Sequence, residues 1–455
     1  MRGSRVVARL GAAAFAVVLA ASCGRAPASQ SPASQSTVFR GFTLIDGNGG
    51  APLASAALII QDGRVSWVGP ATALHVPPGA IVQDLAGKFV MPGIIDLHTH
   101  IAESDGITQD PVKLFTRARV ESDLRLYARY GVTSVASMGT DQPLVYELRE
   151  EQRRTQPPMA RIFTAGRGFT AKGGYPTQPG GIPGVPYEVS TAAEAAAAVD
   201  ELAARKPDVV KIWVDDHFGE LPKIPIAASR GIIEASHRHN LKAVAHLFYQ
   251  RDAKALVDAD LDGFAHSVRD QLVDAALVDS MKAHGTWLMS ATLAREASMF
   301  SYAAPGPFLK DTFFTKALPA GIEQLMASPE FPKRVTGDPH FHEYPGYLKT
   351  AQQNLKRLAD AGVRFGFGTD TGPPSRFGGY GDHWEMQLMV EAGLTPMQVL
   401  TAATRSSAEF LGATDLGTLG AGKWADFVVL NADPVSDIRN TRQIDAVYVA
   451  GNRVP

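Results

Sequence analysis

Cysteine is almost missing from this 455-residue chain: Cys23 stands alone. That excludes an internal disulfide framework and any thiolate metal site in the body of the protein. A metal, if one is held, must be held by nitrogen and oxygen. Charge of one sign is missing too. The 44 Lys and Arg against 46 Asp and Glu leave a formal net charge of −2 with no long basic run, so the chain lacks the cationic face that binding to phosphate backbones requires, and nucleic acid is not an expected partner. The apolar run at 10–21 is too short to span a bilayer, which takes about 20 residues. No Gly-x-Gly-x-x-Gly fingerprint opens the first strand–helix unit, which argues against a dinucleotide fold.

What is present begins with an export pattern. Arg2, Arg5 and Arg9 precede the apolar run, and small residues follow it up to Cys23. The segment Ala20-Ala21-Ser22-Cys23 resembles a bacterial lipoprotein processing site, with Ala20 where Leu is usual and Leu19 one place early. Two readings stand: lipid attachment at Cys23, giving a membrane-anchored periplasmic protein, or plain secretion with Cys23 incidental or removed. Residues 24–36, rich in Ala, Pro, Ser and Gln, read as a disordered tether after a signal peptide at 1–23.

With 45% hydrophobic and 20% charged residues, the remainder has enough apolar material for one large domain and one small one. From 37 to 91, short β-rich runs alternate with turn residues (VFRGFTLI, DGNGG, AALIIQDGRVSWVG, IVQDLAGKFV), and ADFVVLNADP and AVYVAGNRV repeat the pattern within 414–455. The two ends are expected to pair into a small β-sandwich domain. Between them, 92–413 alternates β-branched runs with helical patterns. Eight strand candidates follow one another: GIIDLHTH, VTSVASMG, RIFTAG, VVKIWV, KAVAHL, DGFAHS, TWLMSA and RFGFGTD. This predicts an α/β fold, a (β/α)8 TIM barrel. Two connections, 166–190 and about 292–344, read as long loops, which on a barrel are walls or lids of the site.

Barrel active sites lie where the strands end. His98 and His100 end the first strand, Lys211 lies in the fourth, His246 ends the fifth, His266 the sixth and Asp370 the eighth. Residues i and i+2 of a strand share a face, so His98 and His100 can address one ion. The same spacing recurs twice without that scaffold. His237 and His239 close a helical stretch and are expected at the surface; His340 and His342 sit in a Pro-rich loop, solvated or facing substrate. Each remaining candidate alone has a bland reading, a hydrogen-bonded His or a turn-capping Asp. Together they are hard to bury without a cation. Lys211 leaves two readings open, since an ammonium repels cations: a structural ion pair beside a single metal, or a modified side chain.

The order HxH, Lys, His, His, Asp, with GKFVMPGIIDLHTHI, GFAHS, GTDTG, EAGLTPMQVLTAAT and GKWADFVVLNADP around it, resembles the binuclear amidohydrolases, and within them the prolidase-like and imidazolonepropionase-like periplasmic members. The resemblance implies two divalent metal ions, expected to be zinc, bridged by Lys211 carboxylated to an anionic carbamate. It places His98 and His100 on the inner metal and His246 and His266 on the outer one, with Asp370 as inner ligand and catalytic proton carrier. One departure stands out: such relatives often carry Gly-Gly-His after the third strand, whereas this chain has Gly173, Gly174 and Tyr175.

The implied reaction is hydrolysis of an amide in a peptide-like or N-acyl amino acid substrate. Arg167, Lys172, Tyr249 and Arg269, just past strand ends, are the candidate substrate contacts. Phe300, Tyr302, Phe308, Phe313 and Phe314 line a pocket or build core. Single-metal deamination, cyclic-amide or lactone hydrolysis, and a non-catalytic binding module are the competing classes. A homo-oligomer acting on a small molecule or peptide is the expected form.

Overall fold

A computed structural model describes residues 35–178 and 181–455; the export signal, Cys23 and all but the end of the tether lie outside the described residues. Five strands open the described chain: β1 (Thr37–Leu44), β2 (Leu53–Gln61), β3 (Arg64–Pro70), β4 (Ile81–Asp84) and β5 (Phe89–Pro92). The central part contributes β6 (Ile94–Thr99), β7 (Val132–Ser137), β8 (Arg161–Thr164), β9 (Phe169–Thr170), β10 (Tyr187–Glu188), β11 (Val210–Val214), β12 (Ala243–Leu247), β13 (Gly263–Phe264) and β14 (Trp287–Leu288). The chain ends with β15 (Phe427–Leu430), β16 (Ile444–Val449) and β17 (Asn452–Arg453).

The two chain ends do pair. Their strands form one sheet in the order β17-β16-β15-β5-β1-β2-β3, with β4 also on β1. The layers expected there thus belong to a single hydrogen-bonded sheet. β1 changes neighbour along its length, pairing with β4 at Thr37 to Arg40 and with β5 at Thr43 and Leu44, across a register shift at Arg40/Phe42. Its core is aromatic and aliphatic: Phe39, Phe427 and Tyr448 pack with Leu58, Ile60 and Val429, the Phe427 and Tyr448 rings stacked at 4.5 Å.

The central strands run parallel in two ladders, β6-β7-β8 and β10-β9-β11-β12-β13-β14. Near-continuous burial of β6, β7, β11 and β12 explains their unbroken apolar runs, since helices cover one face and the interior the other. Those helices include Arg117–Arg129, Leu144–Thr155, Ala192–Ala203, Ile226–Arg238, Gln250–Val257, Ala275–His284 and Tyr344–Asp360. Several start at the caps their sequences provide, with Thr116, Thr191 and Asp274 accepting from the backbone N–H three residues on.

The eighth expected strand, RFGFGTD, is not a regular strand. It touches both ladders instead: Gly366 N donates to Leu288 O (3.0 Å), Leu97 N to Phe367 O (2.8 Å), and single bridges join Leu288 to Phe365 and Thr99 to Thr371. At the other seam Asp208 N donates to Thr164 O at 2.8 Å. The ring of eight parallel segments is the (β/α)8 barrel. Gly368 is required in the closing segment, because a Cβ there would lie 2.9 Å from the backbone N of His98.

The two long connections differ from their expectation. The first supplies β9 and β10. The second is mostly helical, with Leu293–Ser301, Gly306–Leu309, Thr312–Thr315, Ile322–Met326 and Glu330–Thr336. Pro305, Pro319 and Pro329 separate short turns that bury Tyr302, Phe314, Met326 and Phe331 against Phe377 and Tyr380. Tyr302 and Phe314 are therefore core, with Phe308 and Phe313 packed at its edge.

Candidate metal centre

The closing segment decides where Asp370 goes. Asp370 N donates to His98 O (2.6 Å) and His100 N to Thr371 O (2.8 Å), so the carboxylate comes to rest beside the rings of His98 on β6 and His100 just past its end. Asp370 adopts φ +58°, a left-handed conformation that a non-glycine residue keeps only where the surroundings impose it, often at functional sites. Gly372 (φ +117°) then lets the chain pass against His100, since any Cβ there would collide with the His100 carbonyl.

One ligand atom from each of His98, His100 and Asp370 falls within 4.8 Å of the other two. Asp370 Oδ1 lies 3.0 Å from His100 Nε2 and 3.6 Å from His98 Nε2. In both rings Nδ1 is engaged elsewhere: His98 Nδ1 by Ala265 O (2.9 Å) and Ser290 Oγ (3.3 Å), His100 Nδ1 by Glu103 Oε2 (2.7 Å) and Thr140 Oγ1 (3.0 Å). Fixing one nitrogen presents the other to an ion, the usual outer arrangement of a metal-bound histidine. His266 repeats it, with Nδ1 2.8 Å from Thr292 Oγ1 and a buried Nε2 without a partner among the described residues. His246 reverses it: Nε2 lies 2.7 Å from Asp215 Oδ2, which leaves Nδ1 available. The ring centroids stand 4.1 Å apart for His246 and His266 and 4.8 Å for His98 and His266. Lys211, fully buried, places Nζ 3.0 Å from His98 Nε2. The orphaned Nε2, the nitrogen and oxygen donors and their outer partners fit divalent cations.

Charge follows burial here. Burial pushes the Lys211 amine down to about 7, against the pull of Asp370 and Glu103, and takes His246 to about 4 despite Asp215. Burial, with neighbouring cationic groups, holds His98 and His266 well below the ordinary imidazole value, so these rings are neutral and able to ligate. For His100, burial is outweighed by Glu103 and Asp370, which raise it to about 9. Burial would raise Asp370, but Arg376 and the two rings keep its carboxyl well below the usual range.

The six expected metal-site residues are thus brought together; the four expected substrate contacts are not. A cavity of about 60 Å³ opens at the cluster, lined by His98, His100, His246, Trp213, Tyr175 and Arg376 among others, and none of the four lines it. Arg269 is buried against Glu296 at 3.1 Å, donating to Leu247 O and Ser267 O. Arg167 braces its own loop through Val185 O and covers Tyr187. Lys172 is exposed near Glu194. Tyr249 lies under Lys223 and Arg251. Strand-end position brought each close, but the next turn of chain pointed it elsewhere. Conversely Asp215, Glu103, Thr140 and Arg376 are not among the expected residues, and Tyr175 is expected only as a departure from Gly-Gly-His. Asp215 carried a signal, a carboxylate directly after strand β11 as Asp370 follows the eighth; the others sit on loops without one.

His237 and His239 are exposed and paired with Asp262 and Asp200. His340 stacks on Phe218 at 3.9 Å, and His342 lies beside Phe341.

Comparison with known proteins agrees with this architecture. The chain is 24% identical over 431 residues to imidazolonepropionase of Deinococcus radiodurans, covering 88% of this chain and 92% of that protein. Its fold matches a Xaa-Pro dipeptidase with bound methionine (TM-score 0.71, 21% identity, 92% of this chain and 99% of that one). It also matches A. niger ochratoxinase (TM-score 0.69, 20% identity, 92% and 96%). Residues 89–454, the barrel with the β strands that close the chain, match the amidohydrolase family, and the chain belongs to that family.

Proposed function

We propose that this protein is a metal-dependent hydrolase that cleaves the amide bond of a peptide-like or N-acyl amino acid substrate with a pair of divalent cations, zinc being the expected metal. The observation that carries the reading is the convergence of His98, His100, His246, His266 and Asp370 around the buried Lys211, each ring with one nitrogen already fixed. His98, His100 and Asp370 would hold one ion, and His246 and His266 the other. Bound there, the ions supply a water of lowered pKa and polarise the substrate carbonyl.

The chain's own residues supply the rest. Lys211, its amine brought to about 7, is neutral often enough to add carbon dioxide; its nitrogen loses a proton and the side chain becomes an anionic carbamate, removing the repulsion between an ammonium and cations. Asp370 Oδ1 faces the two rings of β6, where it can take the proton of the attacking water and pass it to the leaving amine. The family match and the imidazolonepropionase and dipeptidase likenesses support C–N bond hydrolysis.

A single-metal reaction, a deamination or cyclic-amide opening, is the second reading. It is favoured by the fact that only His98, His100 and Asp370 form a tight ligand set among the described residues. Elemental analysis of protein purified without chelator separates the two. Two metals per chain, falling in Lys211→Ala, are expected; one metal in both proteins would overturn the binuclear reading in favour of the second.

A further inference from the structure

Two arginines, Arg295 and Arg376, reach Asp370, and a third, Arg269, lies behind them on Glu296; they are not equivalent. Arg269 is fully buried, and its recorded bonds go to Leu247 O, Ser267 O and Glu296. Arg295 binds Glu296 Oε1 at 2.6 Å and reaches Asp370 Oδ2 at 3.8 Å. Arg376 binds Asp370 Oδ2 and also donates to Asp370 O at 3.3 Å. Among the described residues both bonds of Arg376 run through Nη1, leaving Nε and Nη2 of a planar fork suited to two oxygens of one oxyanion.

Position separates Arg376 further. It lines the cavity beside Tyr175, His246 and Trp213, whereas Arg269 is enclosed in protein. Its backbone is pinned in a tight turn, with Gly372 N donating to Arg376 O (3.0 Å) and Ser375 N to Gly106 O (3.1 Å), so the guanidinium has a fixed base and a free end. Tyr175 lines the same cavity, its ring 5.3 Å from that of His246, and supplies a hydroxyl donor there. A cavity of about 60 Å³ is far below the roughly 300 Å³ of a small-molecule pocket. An amino-acid-sized substrate must therefore displace side chains that line it, and Arg376 is the one arginine among them.

Resting on the amide-hydrolase reading above, we infer that Arg376, supported by Arg295 and Tyr175, is the specificity-determining group that binds a free carboxylate on the substrate next to the scissile amide. Arg376 meets the incoming anion with its Nε and Nη2 edge while Nη1 stays on Asp370, so the acid is held and the neutral amide analogue is not. Substrates are then anionic at the leaving-group side.

The test uses the metal-loaded full chain and N-acetylalanine, N-acetylleucine, N-acetylphenylalanine and N-acetylproline, each paired with its C-terminal amide. In the parent, kcat/KM is expected to favour the acid by about 100-fold, the size of a lost charged hydrogen-bond pair. Arg376→Met should bring the ratio near one, mainly through KM. Arg376→Lys keeps a charge opposite Asp370, guards against a misfolded Met variant, and should lose at least about tenfold of the preference with the fork. Tyr175→Phe should lose a smaller part. Melting temperature with the same compounds gives a second reading, because only a bound compound stabilises the fold. Acid preference unchanged in folded Arg376 variants would overturn the inference while leaving the hydrolase intact. No turnover of any pair, with acids alone raising the melting temperature in the parent and not in Arg376→Met, would sustain the inference and sink amide hydrolysis. Neither turnover nor an acid-selective shift would overturn the inference.

Discussion

The chain writes His-x-His three times, and only one copy belongs to the proposed metal site. On β6 the pair is buried, each Nδ1 is engaged by the barrel wall, and both Nε2 atoms face Asp370. At the end of helix Ile226–Arg238 the second pair is exposed, and each Nε2 is already held by a carboxylate, His237 by Asp262 at 2.9 Å and His239 by Asp200 at 2.7 Å. The third pair divides, His340 stacked on Phe218 and His342 exposed. Two residues along a strand share a face; two along a helix do not. The difference teaches that the tripeptide carries little information: His237 and His239 have one nitrogen held by a carboxylate just as His246 does, and what sets the candidate ligands apart is burial beside one another at the strand ends.

The strongest way to break this contrast is Asp370→Asn. It keeps the size of the side chain and the backbone bond from Asp370 N to His98 O while removing the carboxylate proposed to carry the proton, so kcat should fall on the order of 10³-fold with the melting temperature and circular dichroism close to the parent's. A variant retaining near-normal turnover would remove Asp370 from the chemistry and leave the β6 pair as a structural cluster.

Next in size is a comparison of two carboxylates that do the same thing in different places. Asp215 and Asp262 each accept from a histidine Nε2, but Asp215 holds His246 at the cluster and Asp262 holds a surface ring. Burial opposes the ionised Asp215, yet its bond with His246 and the nearby cationic groups keep its carboxyl far below the ordinary range. Asp215→Asn should weaken metal retention about 10- to 100-fold in chelator competition, the effect of losing an outer partner of a ligand. Unchanged retention would show that His246 does not ligate.

These contrasts also mark what the sequence made legible. GIIDLHTH and KAVAHL were readable because parallel strands buried on both faces leave unbroken apolar runs ending in polar residues. RFGFGTD was placed correctly as a segment, but its glycines and the close passage by His98 replace ladder pairing with single bridges. The stretch 292–344 read as loop because Pro and Gly punctuate it every dozen residues or so, whereas burial of Tyr302, Phe314 and Phe331 folds the pieces between them into short helices. Ligands at strand ends obey a rule with a fixed position. Arg376 and Tyr175 do not, since their places depend on a glycine turn and on a connection whose course only packing determines.

The smallest expected effect is the one most diagnostic of the contrast. His237→Ala and His239→Ala remove a His-x-His as complete in sequence as the one on β6, yet each cuts only a surface pair with side chains more than a third exposed. Stability should change by no more than about 1 kcal/mol, and metal content and turnover should match the parent. Asp262 retains its bond from Ala243 N at 2.8 Å, so the start of β12 stays anchored when His237 is lost. A fall in metal content in either variant would mean that exposure does not disqualify a histidine, and the distinction between the pairs would have to rest on something other than burial at the strand ends.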